Sequence, residues 1–559
     1  MIPKKAAKLR KFHLTAALII SLLLFGGCTY VEKVKEFNET PPIMEIPDET
    51  VHKIDTIELK KAPENEPVAP EIKEPEKAEY KLSLAECRAL TLENNLDLRV
   101  QLINPAIAKE SVNQEEAKFE STFSGSANYA KVDTPTASDL VASKSDTFYT
   151  TLGVDMPLRT GGTLSFNLAD QYNKTNLYQF EKPESYTTAL SASISQPLLR
   201  NAWKNASTYS IRVAQYNNSI TNLRTKAEAI RIIADVDRAY WRLYASRKML
   251  EVRKQQYELA KATYEETERF VEVGVKPRIE IIRTKVGMAQ RLEDIITADN
   301  DVRVKERDLK RMINKKGLGM ETKTVIIPSS PPAPVRYEID RKKMVKNAIE
   351  NRMEMLELEL QIAQDSMKID FNRNQTLPSL TFQYKYNING LSTEDRGDSY
   401  NMLFKDEHHD DRFGLNLTIP LGNKKAKSAL RQSIYERAQS LASKESKEAE
   451  IKSEVLNQID TLEANWQNIL ASRQNSLLSD EQYKATKRQY ELGLVSAKDV
   501  LTAQTDLAEA QRAEIAAVTD YQISLIDLAY ATGTLLGAAK VEWAPIVPVG
   551  NGNAATPVN

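Results

Sequence analysis

The chain is written twice. Tyr264, Arg269 and Gly274 recur as Tyr483, Arg488 and Gly493, 219 residues further on. Beyond the glycine, Glu280, Ala289, Asp301 and Leu309 recur as Asp499, Ala508, Asp520 and Leu528 at the same spacing. An internal repeat constrains a fold more than any local signal. Nearer the start of each half the spacing differs. Leu98 matches Met355 and Tyr129 matches Tyr386 at 257 residues, whereas Pro197 matches Pro420 at 223, so the first half carries 34 extra residues between Tyr129 and Pro197.

Each half repeats one order of elements. A helical pattern of about 36 residues comes first, over Ser83–Lys118 and Asp340–Gln375. A strand region follows, over about 119–198 and about 378–420. A very long helical pattern comes next, Ala202–Val273 and Lys424–Leu492, then a glycine break and a returning helix, Pro277–Met312 and Ser496–Gly533. A helix of about 70 residues runs roughly 105 Å at 1.5 Å per residue. Two shorter helices laid end to end match one long one, which predicts a two-layer cylinder wall. The long segments are rich in Ala, Glu, Lys, Leu and Gln, as coiled-coil packing requires. Gly274 and Gly493 suit the ends of the long helices, and Pro277 and Ser496 the starts of the returning ones.

The strand candidates alternate with period two. Phe123, Gly125, Ala127 and Tyr129 alternate with Ser124, Ser126 and Asn128; Leu164, Phe166 and Leu168 with Ser165 and Asn167; Leu190, Ala192 and Ile194 with Ser191, Ser193 and Ser195. In the second half Leu380, Phe382, Tyr384 and Tyr386, then Phe413, Leu415, Leu417 and Ile419, do the same. Runs near ten residues with one apolar and one polar face fit tilted strands of a water-filled membrane barrel; a soluble sheet with one wet face gives the same alternation. Residues 157–162 read as a tight turn, and 131–146, 173–186 and 387–411 as long polar loops. The 34-residue insertion is the size of one hairpin with its loop, so four strands are expected in the first half and two in the second.

The ends of the chain are of another kind. Lys4, Lys5, Lys8, Arg10 and Lys11 precede an apolar run from Leu14 to Phe25, too short to span a bilayer. Phe25-Gly26-Gly27-Cys28 then resembles a bacterial lipobox, which implies a signal peptide over 1–28, acylation of Cys28 and, with Thr29 behind it, sorting to the outer membrane. Several acyl chains make a stable anchor where one does not. Residues 29–79 alternate seven prolines with many glutamates and read as an extended tether; residues 541–559 read as a flexible tail. Lys plus Arg total 76 against 77 acids, so nothing draws the chain electrostatically to nucleic acid.

Three stretches carry a family resemblance. Leu82-Ser83-Leu84-Ala85-Glu86 with Asn94-Asn95-Leu96 resembles the opening helix of the TolC family of outer-membrane efflux and secretion proteins. Ser195-Gln196-Pro197-Leu198-Leu199-Arg200 resembles the end of a descending strand in a subset of it, and Tyr490-Glu491-Leu492-Gly493-Leu494-Val495-Ser496 resembles its hairpin tip. The resemblance spans about residues 80–540, as two TolC-like repeats over 80–330 and 331–540. It implies a mainly helical protomer with sheet, a long antiparallel coiled-coil α-barrel, and a transmembrane β-barrel shared in a homotrimer. It further implies an exit duct of a tripartite efflux or type I secretion system in a Gram-negative envelope, working with a periplasmic adaptor and an inner-membrane pump or ABC transporter. Six strands per protomer give 18 in a trimer, against the 12 common in the family. By register with the family Asp499, with Glu280 as its counterpart, is a gate or selectivity candidate, although Thr502 stands where a second acid is expected; a solvated tip carboxylate, or an acid favoured by the dipole at a helix N-terminus, is the alternative. Gly274, Val275, Gly493, Leu494 and Val495 are candidate adaptor contacts, with packing inside the coiled coil as the alternative for Val275, Leu494 and Val495.

The residues weigh against catalysis. The four histidines are His13, His52, His408 and His409, none of them in the helical body, and no phosphate loop, metal spacing or nucleophile motif is present. No cofactor is expected. His408 and His409 sit among acids in a loop, where metal binding is the alternative to plain solvation; Cys87 reads as a small buried hydrophobe. The remaining rival is a periplasmic coiled-coil lipoprotein with no pore.

Overall fold

The computed structural model describes residues 78–541, apart from 138–140, 177–182 and 406. The signal segment, Cys28, the tether up to residue 77 and the tail from 542 lie outside the described residues. In chain order the elements are β1 (Glu79–Leu82), α1 (Leu84–Asn94), α2 (Leu96–Gln101), α3 (Asn104–Glu116), β2 (Thr122–Asp133), β3 (Lys144–Pro157), β4 (Thr163–Thr175), β5 (Glu184–Pro197), α4 (Trp203–Ser207), α5 (Tyr209–Glu272) and α6 (Ile279–Ile313). Then follow β6 (Val325–Pro328), α7 (Arg341–Asn351), α8 (Met353–Gln375), β7 (Ser379–Ser392), α9 (Arg396–Lys405), β8 (His409–Thr418), α10 (Lys424–Glu491), α11 (Ala497–Ala531) and α12 (Leu535–Ala538).

The two long helices, 64 residues in α5 and 68 in α10, each fold back on a returning helix of 35 residues, α6 and α11. Both turns use the predicted glycine. Gly274 has φ +79° and Gly493 φ +76°. Val275 N donates to Phe270 O (2.8 Å) and Gly274 N to Val271 O (3.0 Å); Leu494 N and Gly493 N repeat this on Gln489 O and Tyr490 O. These are Schellman caps, which need a residue without a Cβ penalty in the left-handed region.

Three sequence expectations are corrected. The opening helix of each half is not continuous: it breaks at Asn95 and at Arg352, 257 residues apart and so equivalent in the repeat. Asn95 leaves the helical region because its side chain accepts from Leu98 N (2.8 Å) and donates to Met312 O (2.9 Å). Arg352 does so with its guanidinium held by Glu354 and Glu454. The returning helices end against these breaks, also in duplicate. Asn314 and Gly533 are both left-handed, at φ +45° and +68°, and lie 219 apart. Asn314 Nδ2 donates to Asn94 O, and Gly533 packs against the backbone of Asn351 and Arg352. Second, the first long helix begins at Tyr209 and not Ala202. The short α4 is pinned by Trp203 N to Thr160 O (2.8 Å), and Thr208 (φ −96°, ψ 16°) interrupts the helix. Third, the segment read as one loop over 387–411 contains the end of β7, helix α9 and the start of β8.

One pairing had no local signal. β1 runs parallel to β6, Glu79 against Val325 through Leu82 against Pro328. Tyr240 of α5 fastens it, donating to Leu82 O (3.1 Å) and accepting from Ser330 N (2.9 Å). Around this sheet Leu82, Ile233, Leu243, Leu309, Ile313 and Ile326 form a buried core, each aliphatic chain contributing roughly 1.5–3 kcal/mol by leaving water. Cys87 is buried in the same core, and burial pushes its thiol well above the ordinary range. Beside it Arg88 Nε and Nη2 meet the fully buried Asp237 carboxylate at 2.8 and 2.7 Å.

Candidate channel wall and hairpin tips

The six remaining strands form one antiparallel sheet in the order β2-β3-β4-β5-β7-β8: four strands from the first half and two from the second, as the shift in repeat spacing predicts. Among the described residues β2 and β8 each have one neighbour, so both edges are open. The ladders set the side chains in rows. One face carries Phe123–Val154–Phe166–Ala192–Tyr386, then Gly125–Leu152–Leu168–Leu190–Ile388. Two rows further toward the loops stands Tyr129–Phe148–Tyr172–Tyr186, with the Tyr172 and Tyr186 rings 5.1 Å apart. The next row, Lys131–Asp146–Lys174–Glu184, alternates in charge across four strands, with Lys174 and Glu184 at 2.6 Å. Aliphatic rows bounded by an aromatic row and then by charge match the pattern of a membrane barrel's outer surface. Such opposite-charge pairs support the ladder beyond the apolar band, which is why the strands extend past the ends expected from hydropathy. The opposite face carries Ser124–Gly153–Asn167–Ser191–Asn387–Asp410 and Thr122–Asp155–Ser165–Ser193–Lys385–Arg412. That face suits water.

At the hairpin ends the duplicated acids have diverged. Ser496 opens α11 with a capping box: Asp499 Oδ2 accepts from Ser496 N (2.8 Å) and from Ser496 Oγ (2.7 Å). These bonds hold the exposed Asp499 carboxyl below its ordinary range. The residue equivalent to Ser496 in the first half is Pro277, which has no hydroxyl and no N–H to offer. Glu280, 6% exposed, turns instead to the other hairpin and accepts from Ala497 N (3.2 Å), while Arg283 holds its second oxygen at 2.5 Å. Both acids therefore serve the N-terminus of α11, where the helix dipole favours them.

Of the candidate contact residues, Val275 and Leu494 are exposed and Val495 is partly buried against the tip's apolar cluster, which includes Tyr490 and Val500. Sequence reasoning missed Val273 and Leu492, 72% and 68% exposed, which immediately precede the two glycines; their position at C-cap of a glycine-ended helix was the available signal. It also missed Lys276, whose ammonium lies on the face of the Tyr490 ring while the Tyr490 hydroxyl shares a 2.7 Å hydrogen bond with Thr267. Burial lowers the Lys276 pKa. Because nothing lies within 4 Å of a Cβ added at either glycine, Gly493→Ala should cost only the backbone term, about 1–2 kcal/mol. Faster amide exchange confined to Gly493, Leu494 and the last turn of α10, with an unchanged global unfolding midpoint, is the expected result. A global loss would mean that the tip carries more of the fold than its caps.

His409 begins β8 opposite Ile388, with its ring beside Tyr386. Among the described residues no group of three or more His, Cys, Asp or Glu is placed to hold a metal ion, and no helix is long and apolar enough to cross a membrane.

A two-faced sheet with open edges, set beside two helices about 100 Å long that each fold back on a shorter one, defines a channel-forming protomer. The chain belongs to the outer membrane efflux protein family, whose profile matches residues 163–315 and 344–534. It is thus an outer-membrane efflux channel protein, a passive duct and not an enzyme, and the reading as a scaffold without a pore is set aside. No curated protein matches it by sequence. Solved structures share the fold at low identity. CusC, described with transmembrane channel formation, matches at TM-score 0.60 and 16% identity over 80% of this chain and 92% of its own. The CmeC outer membrane channel of Campylobacter jejuni matches at 0.59 and 15%, over 81% and 86%. The open state of the MtrE outer membrane channel of Neisseria gonorrhoeae matches at 0.57 and 18%, over 81% and 89%.

Proposed function

We propose that three copies close one 18-stranded barrel and one helical tunnel, anchored to the outer membrane through acylated Cys28. The assembly is the exit duct for export driven from the inner membrane by a pump or ABC transporter. The observation that carries this reading is the sheet: one face apolar, one polar, and two open edges, which lipid does not tolerate. Joining β8 of one copy to β2 of the next removes every edge, and a barrel of 18 strands leaves an aqueous channel. The helical tunnel then stands in the periplasm. Val273, Val275, Leu492 and Leu494, with Gly274 and Gly493 shaping the turns, form the surface offered to a periplasmic adaptor. Asp499, exposed at the tip, lines the narrow end and favours cations, while Glu280 holds the tip together from within.

Purified full-length protein should run as a trimer and give stable single channels in planar bilayers. A variant lacking β3 and β4, which reduces the barrel to 12 strands, should conduct less. Absence of channels from a folded trimer would overturn the duct, and equal conductance in the two forms would overturn the strand count.

A further inference from the structure

Helix α9 is unexplained by the duct, and its position is specific. It packs on the apolar face of the sheet. Thr188 Oγ1 donates to Ser399 O at 2.9 Å, and Arg396 Nη2 reaches Asp170 Oδ2 at 3.2 Å. Thr188 and Asp170 share their face with Leu190 and Leu168, two residues along their strands. Gly390, paired with Thr188, is what admits the helix: a Cβ there would stand 2.0 Å from Ser399 O.

The row that α9 covers is the exception on that face. Ala127–Thr150–Asp170–Thr188–Gly390 lies between the Leu152–Leu168–Leu190 row and the aromatic row, and it is small or polar throughout. A carboxylate facing lipid is expensive. Here Asp170 is 7% exposed, covered by α9 and paired with its arginine, and its Oδ1 is buried with no hydrogen-bond partner. The helix is two-sided in the matching sense: Ser399 and Leu403 face the sheet and are buried, whereas Gly397, Asp398, Asn401, Phe404 and Lys405 are exposed.

Resting on the barrel reading above, we infer that α9 is an outer-surface helix seated in the headgroup layer of the outer leaflet. Two observations fix that level. The covered row lies on the membrane side of the aromatic row, which marks the interface, so the helix does not stand free in water. Its exposed side carries an aspartate, an asparagine and a lysine together with Phe404, the mixture of an interface and not of hydrocarbon. The same contacts tie the inserted hairpin to the duplicated strands, because Arg396 comes from the second half and Asp170 from β4.

The test uses full-length protein reconstituted in phospholipid vesicles, with Cys87→Ser, and nitroxide labels introduced through Asn401→Cys, Phe413→Cys or Ser193→Cys. Collision with oxygen, which concentrates in hydrocarbon, is compared with collision with a water-soluble nickel chelate. Phe413→Cys should report hydrocarbon and Ser193→Cys water. Asn401→Cys should fall between them, and adding Gly390→Val should shift it to the aqueous value by displacing the helix. An Asn401→Cys label as aqueous as the Ser193→Cys label, with the Phe413→Cys label in hydrocarbon, would overturn the placement of α9 and leave the barrel intact. An aqueous Phe413→Cys label would overturn the barrel reading and this inference together. A second arm avoids the fold-sensitive glycine: Arg396→Gln should raise nickel collision at Asn401→Cys, and no change would mean that the ion pair does not seat the helix.

Discussion

Arginine at Phe166 should abolish assembly in the membrane, while arginine at the next residue, Asn167, should leave assembly intact and change which ions pass. The two side chains stand on opposite faces of β4. Phe166 is 42% exposed in the middle of the aliphatic rows. An arginine near the bilayer midplane costs about 2–4 kcal/mol, and its three copies in the proposed trimer make that roughly 6–12 kcal/mol. Asn167 lies in the polar row with Ser124 and Ser191, where a guanidinium stays in water. Its three copies should lower cation permeability, read as a shift in reversal potential across a salt gradient. The yield of heat-modifiable trimer in outer-membrane fractions measures the first outcome. Equal yields for Phe166→Arg and Asn167→Arg would show that the apolar face does not meet lipid.

The second large effect lies in the helical body. Arg88→Ala leaves Asp237 fully buried without the two bonds that compensate it. Removing one partner of a buried pair costs about 3–5 kcal/mol. The loss should depend on pH with a definite sign. Burial already holds the Asp237 carboxyl above its ordinary range, outweighing the bonds from Arg88. Without the arginine it rises further, so the folded variant takes up a proton more readily than the unfolded chain. Stability then increases as pH falls through that raised value toward the ordinary carboxylate range, and the deficit of Arg88→Ala against the wild type should shrink from pH 8 toward mild acid. Unfolding midpoints in detergent at one scan rate measure it. Asp237→Asn in the Arg88→Ala background should recover part of the loss at pH 8. A pH-independent deficit that Asp237→Asn does not relieve would assign the cost to packing around α1 instead.

The repeat made the large features legible. Constant spacing past Gly274 and Gly493 located both hairpins, and the change in spacing located the inserted strands β3 and β4. What escaped the sequence was set by contacts between distant residues. Asn95 and Arg352 break helices without glycine or proline, because each finds partners on other elements: Met312 for the first, Glu454 for the second. β1 and β6 are four residues each and pair across 246 positions, from Glu79 to Val325. Helix α9 lies in a polar stretch and packs on the sheet through the space left by Gly390. The symmetry of Glu280 and Asp499 was readable, but their roles were not, since those turn on Pro277 standing where the other half has Ser496.

The joint where each returning helix meets the break in its opening helix is built from different materials in the two halves. In the first it is built from amides, Asn314 on the carbonyl of Asn94 and Asn95 on Met312, with the exposed Arg311–Asp97 pair at 3.7 Å beside them. In the second it is ionic, with Arg352 clamped by Glu354 and Glu454 beside Gly533. In the proposed trimer the wall therefore alternates two kinds of articulation around its girth. A cylinder nearly sixfold in outline is then threefold in its joints.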